Sequence, residues 1–483
     1  MRPTAAGLVA GLTLAGLALR AAGMGESLLG DELFTYVVVR GHSPGDVIDL
    51  VQTDLEITPP LYFLLAWAAD QLGDGIWLLR LPALLAGTAL IPVVYLVGVR
   101  LVGRPAALFA SALAALSPFM VFYSTEARAY APMTLLVLAS TYALLEALDG
   151  RGRGWWLAYA LASAAAMYSH YTAALVLAPQ AAWALWTARD HWRGLLAANA
   201  GAALAFLPWV PSLSDDTGAV AQRVIGAFEP FGFDAVQRSL TRAVAGTPFM
   251  SVDDLPGHPA LAMLALAAIV VSAGAIVARR RPSVPALVLV LALGAPLGAA
   301  IYSLLGDDIY IARNMAVSLP GIWLLGGALV TAVPARFAVA AGALVLACFG
   351  IGAAKTLDDD SQRPAYRDIA RYIDGAARPG DAVLELSLVG AGGPPGRALE
   401  IWFERPHPSF RVRVDDGERR AVRAARGGRL FFVVPRVELI EKAVSLGKPA
   451  VQGLDPSFRL VGRRDYPGLV PMTVYVYGDT ARR

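Results

Sequence analysis

Asp31 and Glu32 stand side by side in GDELFTY (residues 30–36), just beyond the first long apolar run of the chain. Ionisable groups beside hydrocarbon are costly, and those retained there commonly serve a reaction or a transport path. A carboxyl group partly shielded from water titrates nearer neutrality, where it can take a proton from a hydroxyl group. The same pair could equally open a helix at the membrane surface, because Asp and Glu favour the first helical turn. Four further clusters carry polar side chains in comparable positions. Asp54 and Glu56 precede TPPLYF (58–63), where they are candidates for acceptor contacts or metal ligation. Glu126, Arg128 and Tyr130 occur in YSTEARAY (123–130), His170 and Tyr171 in YSHY (168–171), and Arg313 in DDIYIARN (307–314). Arginine suits bidentate recognition of phosphate or carboxylate. Glu126 and Arg128, two apart, cannot face each other on one helix and so have different partners. Arg313 enters an apolar run, so its charge needs an anion from the protein or from a lipid. His170 gains interest only from sharing a face with the carboxylates, since a lone interfacial histidine is more often structural.

The elements that must position these groups are mostly membrane-spanning. With 56% hydrophobic and 16% charged residues and a mean hydropathy of +0.54, the chain reads as an integral membrane protein. A net charge of +3 implies no nucleic-acid partner. The single Cys348 excludes an intramolecular disulfide and a cysteine-rich metal site. Runs able to cross about 30 Å of hydrocarbon lie near 4–22, 77–99, 105–123, 129–148, 154–170, 172–188, 194–213, 259–278, 284–304, 311–332 and 335–353. The first resembles a signal peptide, but the many later spans favour a retained helix. A shorter stretch, 59–69, begins with two prolines and reads as an interfacial amphipathic helix, with Tyr62, Phe63 and Trp67 at the lipid headgroups.

The arginines orient these eleven spans. An inside N-terminus puts Arg100, Arg104, Arg151, Arg153, Arg189, Arg193 and Arg279 to Arg281 in short inner loops. Of the 21 acidic residues up to 354, eighteen then fall outside, leaving Glu146, Asp149 and Asp190 inside. A full span at 59–69 would reverse every later loop. Residues 24–76 and 214–258 become large outer loops, and all five polar clusters share the outer surface. The expected division is a transmembrane catalytic domain over 1–354 and an outer α/β domain over 355–483. The latter holds 22 Lys or Arg and 17 Asp or Glu, with a helix expected at 364–376 and strands at 382–388, 429–434 and 472–477.

A carboxylate base, arginines at the membrane edge and an interfacial groove suit the departure of a sugar from an anionic lipid phosphate. No P-loop or dinucleotide fingerprint occurs in a strand-turn-helix setting. A transporter or flippase of a lipid-linked sugar would instead place ionisable groups near the membrane midplane, often in paired repeats, and neither is found. A non-catalytic cell-envelope assembly subunit is the third reading.

Taken in order, Asp31-Glu32, Pro59-Pro60-Leu61-Tyr62, Glu126-Ala127-Arg128-Ala129-Tyr130, His170-Tyr171 and Arg313 with Leu319-Pro320-Gly321 resemble the GT-C membrane glycosyltransferases. The chain looks most similar to the bacterial branch related to protein O-mannosyltransferases and aminoarabinose transferases. That resemblance implies a mainly α, polytopic fold in the bacterial cytoplasmic membrane, with the active site and C-terminal domain outside. It further implies a polyprenyl-phosphate sugar donor, an inverting transfer to a glycan, lipid or protein hydroxyl, and surrounding membrane lipids as partners. Asp31 would be the general base with Glu32 its positioning neighbour, and Arg128 and Arg313 would bind donor phosphate. Asp54, Glu56, Tyr62, Glu126, Tyr130, His170 and Tyr171 would support or bind substrate. No organic cofactor is implied, and a divalent metal remains an option. Relatives often carry His before the Pro-Pro pair; here Thr58 stands there, which weakens the case for a metal at that point.

Overall fold

The computed structural model describes residues 4–53, 56–216, 230–246, 283–386, 398–412, 416–436, 441, 451, 454 and 457–480. Asp54, the expected span 259–278 and most of the 214–258 loop lie outside them. The chain falls into two compact units, one of Met1–Met24 with Val38–Thr356 and one of Gly25–Val37 with Leu357–Arg483.

The first unit is helical throughout. It opens with α1 (Ala5–Ala22), and the long connection after it carries α2 (Asp31–Val39, shared with the second unit), α3 (Pro44–Val51) and α4 (Leu61–Asp70). Then follow α5 (Leu81–Leu101), α6 (Arg104–Leu116), α7 (Pro118–Tyr123), α8 (Tyr130–Leu148), α9 (Arg153–Ser169), α10 (Ala174–Thr187), α11 (Trp192–Phe206) and α12 (Val210–Asp216). Beyond them come α13 (Phe233–Ala245), α14 (Ser283–Leu305), α15 (Leu319–Ala332) and α16 (Ala335–Lys355). Helical segments thus stand at ten of the eleven expected spans. Among the described residues, 7 helices are long and apolar enough to cross a membrane on their own. The chain is a multi-pass membrane protein.

Three expected spans are broken rather than continuous. The run 105–123 divides at Ser117-Pro118, because proline brings no N–H and its ring clashes with the preceding turn; Ser117 Oγ caps α7 by accepting from Met120 N at 3.3 Å. The run 194–213 passes through a 3-10 turn at Leu207–Trp209 between α11 and α12. Residues Ala312–Ser318 wind as 3-10 helix before α15, so Arg313 occupies a tight turn instead of a regular span.

Packing relies on small residues and on satisfied buried charge. Arg20 near the end of α1 is fully buried, donating to Ser124 Oγ and to the carbonyls of Gly16, Ala114 and Ala115. Two of those carbonyls belong to the last turn of α6, which has no helical N–H left for them. At the other end of the bundle, Arg100 pairs with Glu146 and Asp149, and Arg151 with Glu146. Each of these two acids thus pairs with an arginine at its own end of the bundle. Gly321 of α15 lies against the backbone of α14; an added Cβ would stand 2.2 Å from Ala292 N and 2.4 Å from Leu291 C. Backbone cannot swing aside as a side chain can, so Gly321→Ala should destabilise by about 1–3 kcal/mol. A thermal-unfolding midpoint equal to that of the wild type would contradict this.

The helix expected at 59–69 forms as α4, but its aromatics differ from expectation. Tyr62 and Phe63 are buried in the protein, not set among lipid headgroups. Tyr62 OH donates to Leu79 O at 2.8 Å, and Trp67, half-buried, donates its indole N–H to His42 O at 2.9 Å. The polar tips of these rings therefore satisfy backbone carbonyls of neighbouring loops.

In the second unit a five-stranded sheet has the order β2-β1-β3-β5-β4, formed by β1 (Ala382–Glu385), β2 (Ser409–Arg411), β3 (Arg429–Pro435), β4 (Phe458–Tyr466) and β5 (Met472–Asp479). β1 runs parallel to β2 and β3, while β5 is antiparallel to β3 and β4. Helix α17 (Tyr366–Ala376) packs Tyr372 near Phe431, and α18 (Gly417–Ala424) contributes Ala421 and Val422 to the cluster with Leu430 and Phe432. Residues 431 and 432 of β3 point to opposite faces, so helices cover both. That explains the unbroken apolar run LFFVV where a one-sided strand would alternate.

Candidate active site

In the first unit, a cavity of about 410 Å³ gathers several of the sequence candidates. Arg128, Tyr130, His170, Tyr171 and Arg313 all line it, together with Thr58, Asp216, Asp307 and Asn314. Met167, Leu175, Leu213, Ile309 and Ile311 form apolar wall. The turn after α7 delivers Arg128, the break between α9 and α10 delivers His170 and Tyr171, and the 3-10 turn before α15 delivers Arg313. The first two are connections between separate helices, and the third is the 3-10 start of an expected span.

Arg128 is the most strongly held of these. Its Nη1 lies 2.5 Å from Glu56 Oε2 and its Nη2 2.9 Å from Oε1, a two-pronged pairing of planar groups. Nη2 also donates to Thr58 Oγ1 at 2.9 Å, and the guanidinium sits 5.6 Å from the Phe63 ring centre. Glu56 and Thr58 are both buried. Glu56 thus positions Arg128 with both of its carboxylate oxygens. Among the described residues, no group of three His, Cys, Asp or Glu could hold a metal ion.

His170 closes α9 and its Nδ1 accepts from Thr172 N at 3.3 Å. A ring nitrogen that accepts a backbone N–H carries no proton, so the proton of the neutral ring resides on Nε2. Its ring lies 5.4 Å from that of Tyr130. Tyr171 OH donates to Asp216 Oδ2 at 2.5 Å and accepts from Trp209 Nε1 at 3.0 Å. Burial first, and then the Asp216 carboxylate, hold the phenol well above its ordinary value, so it stays an O–H donor. Asp216 was missed in the sequence because it follows another aspartate in a polar stretch with no periodic pattern. Glu126 is buried in the turn that carries Arg128.

Asp31 and Glu32 belong to the second unit. Both lie in the first turn of α2, which Gly30 enters with φ +48, a left-handed value suited to glycine. Asp31 is half-buried and Glu32 wholly buried. Glu32 Oε2 accepts from Leu29 N at 3.0 Å and lies 3.2 Å from Arg363 Nε. The side chain is therefore committed to structure. No sequence signal tied Arg363 to it, since a partner more than three hundred residues away leaves no trace in local spacing.

Residues 58–214 match the family model of dolichyl-phosphate-mannose-protein mannosyltransferase. No curated protein sequence matches the chain. Among solved structures, ArnT from Cupriavidus metallidurans in the apo state is similar with a TM-score of 0.57 at 15% identity, covering 98% of each chain. The same protein bound to undecaprenyl phosphate is similar with a TM-score of 0.55 at 14% identity, covering 97% of each chain. The Archaeoglobus fulgidus oligosaccharyltransferase, in complex with zinc and sulfate, matches with a TM-score of 0.53 at 14% identity over 98% of this chain and 73% of its own. Identities this low speak for architecture alone, and the architecture agrees over nearly the whole length. The chain thus has the fold of these structures, the GT-C fold.

Proposed function

We propose that this protein is an inverting glycosyltransferase that moves a sugar from a polyprenyl-phosphate donor to an acceptor hydroxyl at the outer face of a bacterial cytoplasmic membrane. The observation that carries the reading is the cavity that joins Arg128 and Arg313 with apolar walls. Two arginines far apart in sequence suit an anionic phosphate, and the surrounding Met, Leu and Ile side chains suit its lipid portion. The undecaprenyl phosphate bound by the similar ArnT structure is a ligand of that chemical class.

In this reading the acceptor oxygen attacks the anomeric carbon from the face opposite the phosphate. The carbon–oxygen bond to phosphate breaks, and its electron pair leaves on the lipid phosphate. Asp31 takes the proton released by the acceptor hydroxyl, while Arg128 and Arg313 stabilise the charge that grows on the departing group. Tyr130, His170 and Tyr171 contribute ring faces and N–H or O–H donors suited to a sugar.

Arg313→Ala should weaken binding of a labelled polyprenyl-phosphate sugar by about 10- to 100-fold, the worth of one charge-assisted contact. Unchanged affinity in detergent or nanodiscs would remove Arg313 from the phosphate site.

A further inference from the structure

We infer that the C-terminal region is part of the catalytic apparatus, because Arg363 clamps the loop that carries Asp31. The inference rests on the reading of Asp31 as the base. Its structural half stands without it.

Arg363 is buried, and its guanidinium bridges two carboxylates of the first outer loop. Nε lies 3.2 Å from Glu32 Oε2, and Nη1 lies 3.2 Å from Glu26 Oε2. The Arg363 backbone N–H also donates to Glu26 Oε2 at 2.9 Å. One turn on, Arg367 N donates to Ser27 Oγ at 3.0 Å. The clamp is itself anchored, because Leu469 N, ahead of β5, donates to Gln362 O at 2.8 Å. Glu32 meanwhile accepts from Leu29 N, so one carboxylate fixes both the approach to α2 and its first turn. Asp31 is the next residue along that backbone. Removing Arg363 takes away the cation that joins Glu26 to Glu32. Arg363 is thus a positioning residue.

Hydrogen–deuterium exchange on the full-length protein tests the clamp without any substrate. In Arg363→Gln, amides of residues 29–33 should exchange on the order of tenfold faster or more, while those of β3 and β5 keep their protection. Unchanged exchange at 29–33 overturns the clamp. Should Arg363→Gln lose protection throughout the domain, Arg363→Lys is decisive: it keeps the charge but loses the two-pronged reach, and must also speed exchange at 29–33. Turnover tests the positioning role. Arg363→Lys should lower kcat at least several-fold while the donor KM stays put, and adding Glu32→Gln should cost less than the two separate losses combined. Faster exchange with wild-type kcat overturns the positioning role. A wild-type protein inactive with every polyprenyl-phosphate sugar would sink the glycosyltransferase reading, leaving exchange alone to decide the clamp.

Discussion

Asp31→Asn is expected to lower transfer by about 10²- to 10⁴-fold, the usual worth of a positioned general base. The substitution keeps size and hydrogen-bonding capacity but removes the basic oxygen. Glu32 is poorly placed to substitute, since its Oε2 already meets Leu29 N and Arg363 Nε. Asp31 has the greater exposure of the two. Donor affinity should stay near the wild-type value, because phosphate recognition is assigned to Arg128 and Arg313. Single-turnover transfer from a radiolabelled polyprenyl-phosphate sugar separates the two quantities. Turnover at the wild-type rate in Asp31→Asn would end the base assignment.

The second large effect concerns Glu56. Removing it by Glu56→Ala leaves the Arg128 guanidinium buried without its two-pronged partner, which should cost about 3–5 kcal/mol of stability. Replacing both members by apolar residues, as Glu56→Leu with Arg128→Met, should recover much of that loss, because no buried charge is then left uncompensated. The recovered protein should still fail to bind donor. Thermal unfolding of the three variants, followed by donor binding on the double variant, checks both halves. A thermal midpoint for Glu56→Ala equal to that of the wild type would show the pair to be energetically idle.

Much of the membrane region could be read from hydropathy because lipid imposes one simple demand, that each crossing be long, apolar and internally hydrogen-bonded. The breaks within those crossings were harder. Pro118, Pro208 and Pro211 were visible, yet hydropathy alone does not distinguish a kinked helix from a terminated one. The break before α15 matters because Arg313 sits on it. Arg128, His170 and Arg313 were recognisable because charged and polar types stand out against apolar neighbours. Their partners were not. Glu56 could be suspected of binding a metal, and only the fold reveals that it faces Arg128. Tyr62 illustrates the opposite error, since an aromatic near a span end looks like a lipid anchor until its hydroxyl is found on Leu79 O. In the sheet domain, β1, β3 and β5 announced themselves through apolar runs. The edge strands β2 and β4 carry alternating or charged residues that resemble loop, so local composition hid them.

The grouping of Gly25–Val37 with Leu357–Arg483 also bears on how the protein is made. Ribosomes add roughly 5–20 residues each second, so the segment bearing Asp31 emerges some tens of seconds before Arg363 exists. During that interval Glu26 and Glu32 have no arginine clamp, however well the early helices have inserted. Completion of the clamp is therefore tied to synthesis of the second half of its own unit. A chain halted after Thr356 would carry Glu26 and Glu32 without the arginine that bridges them.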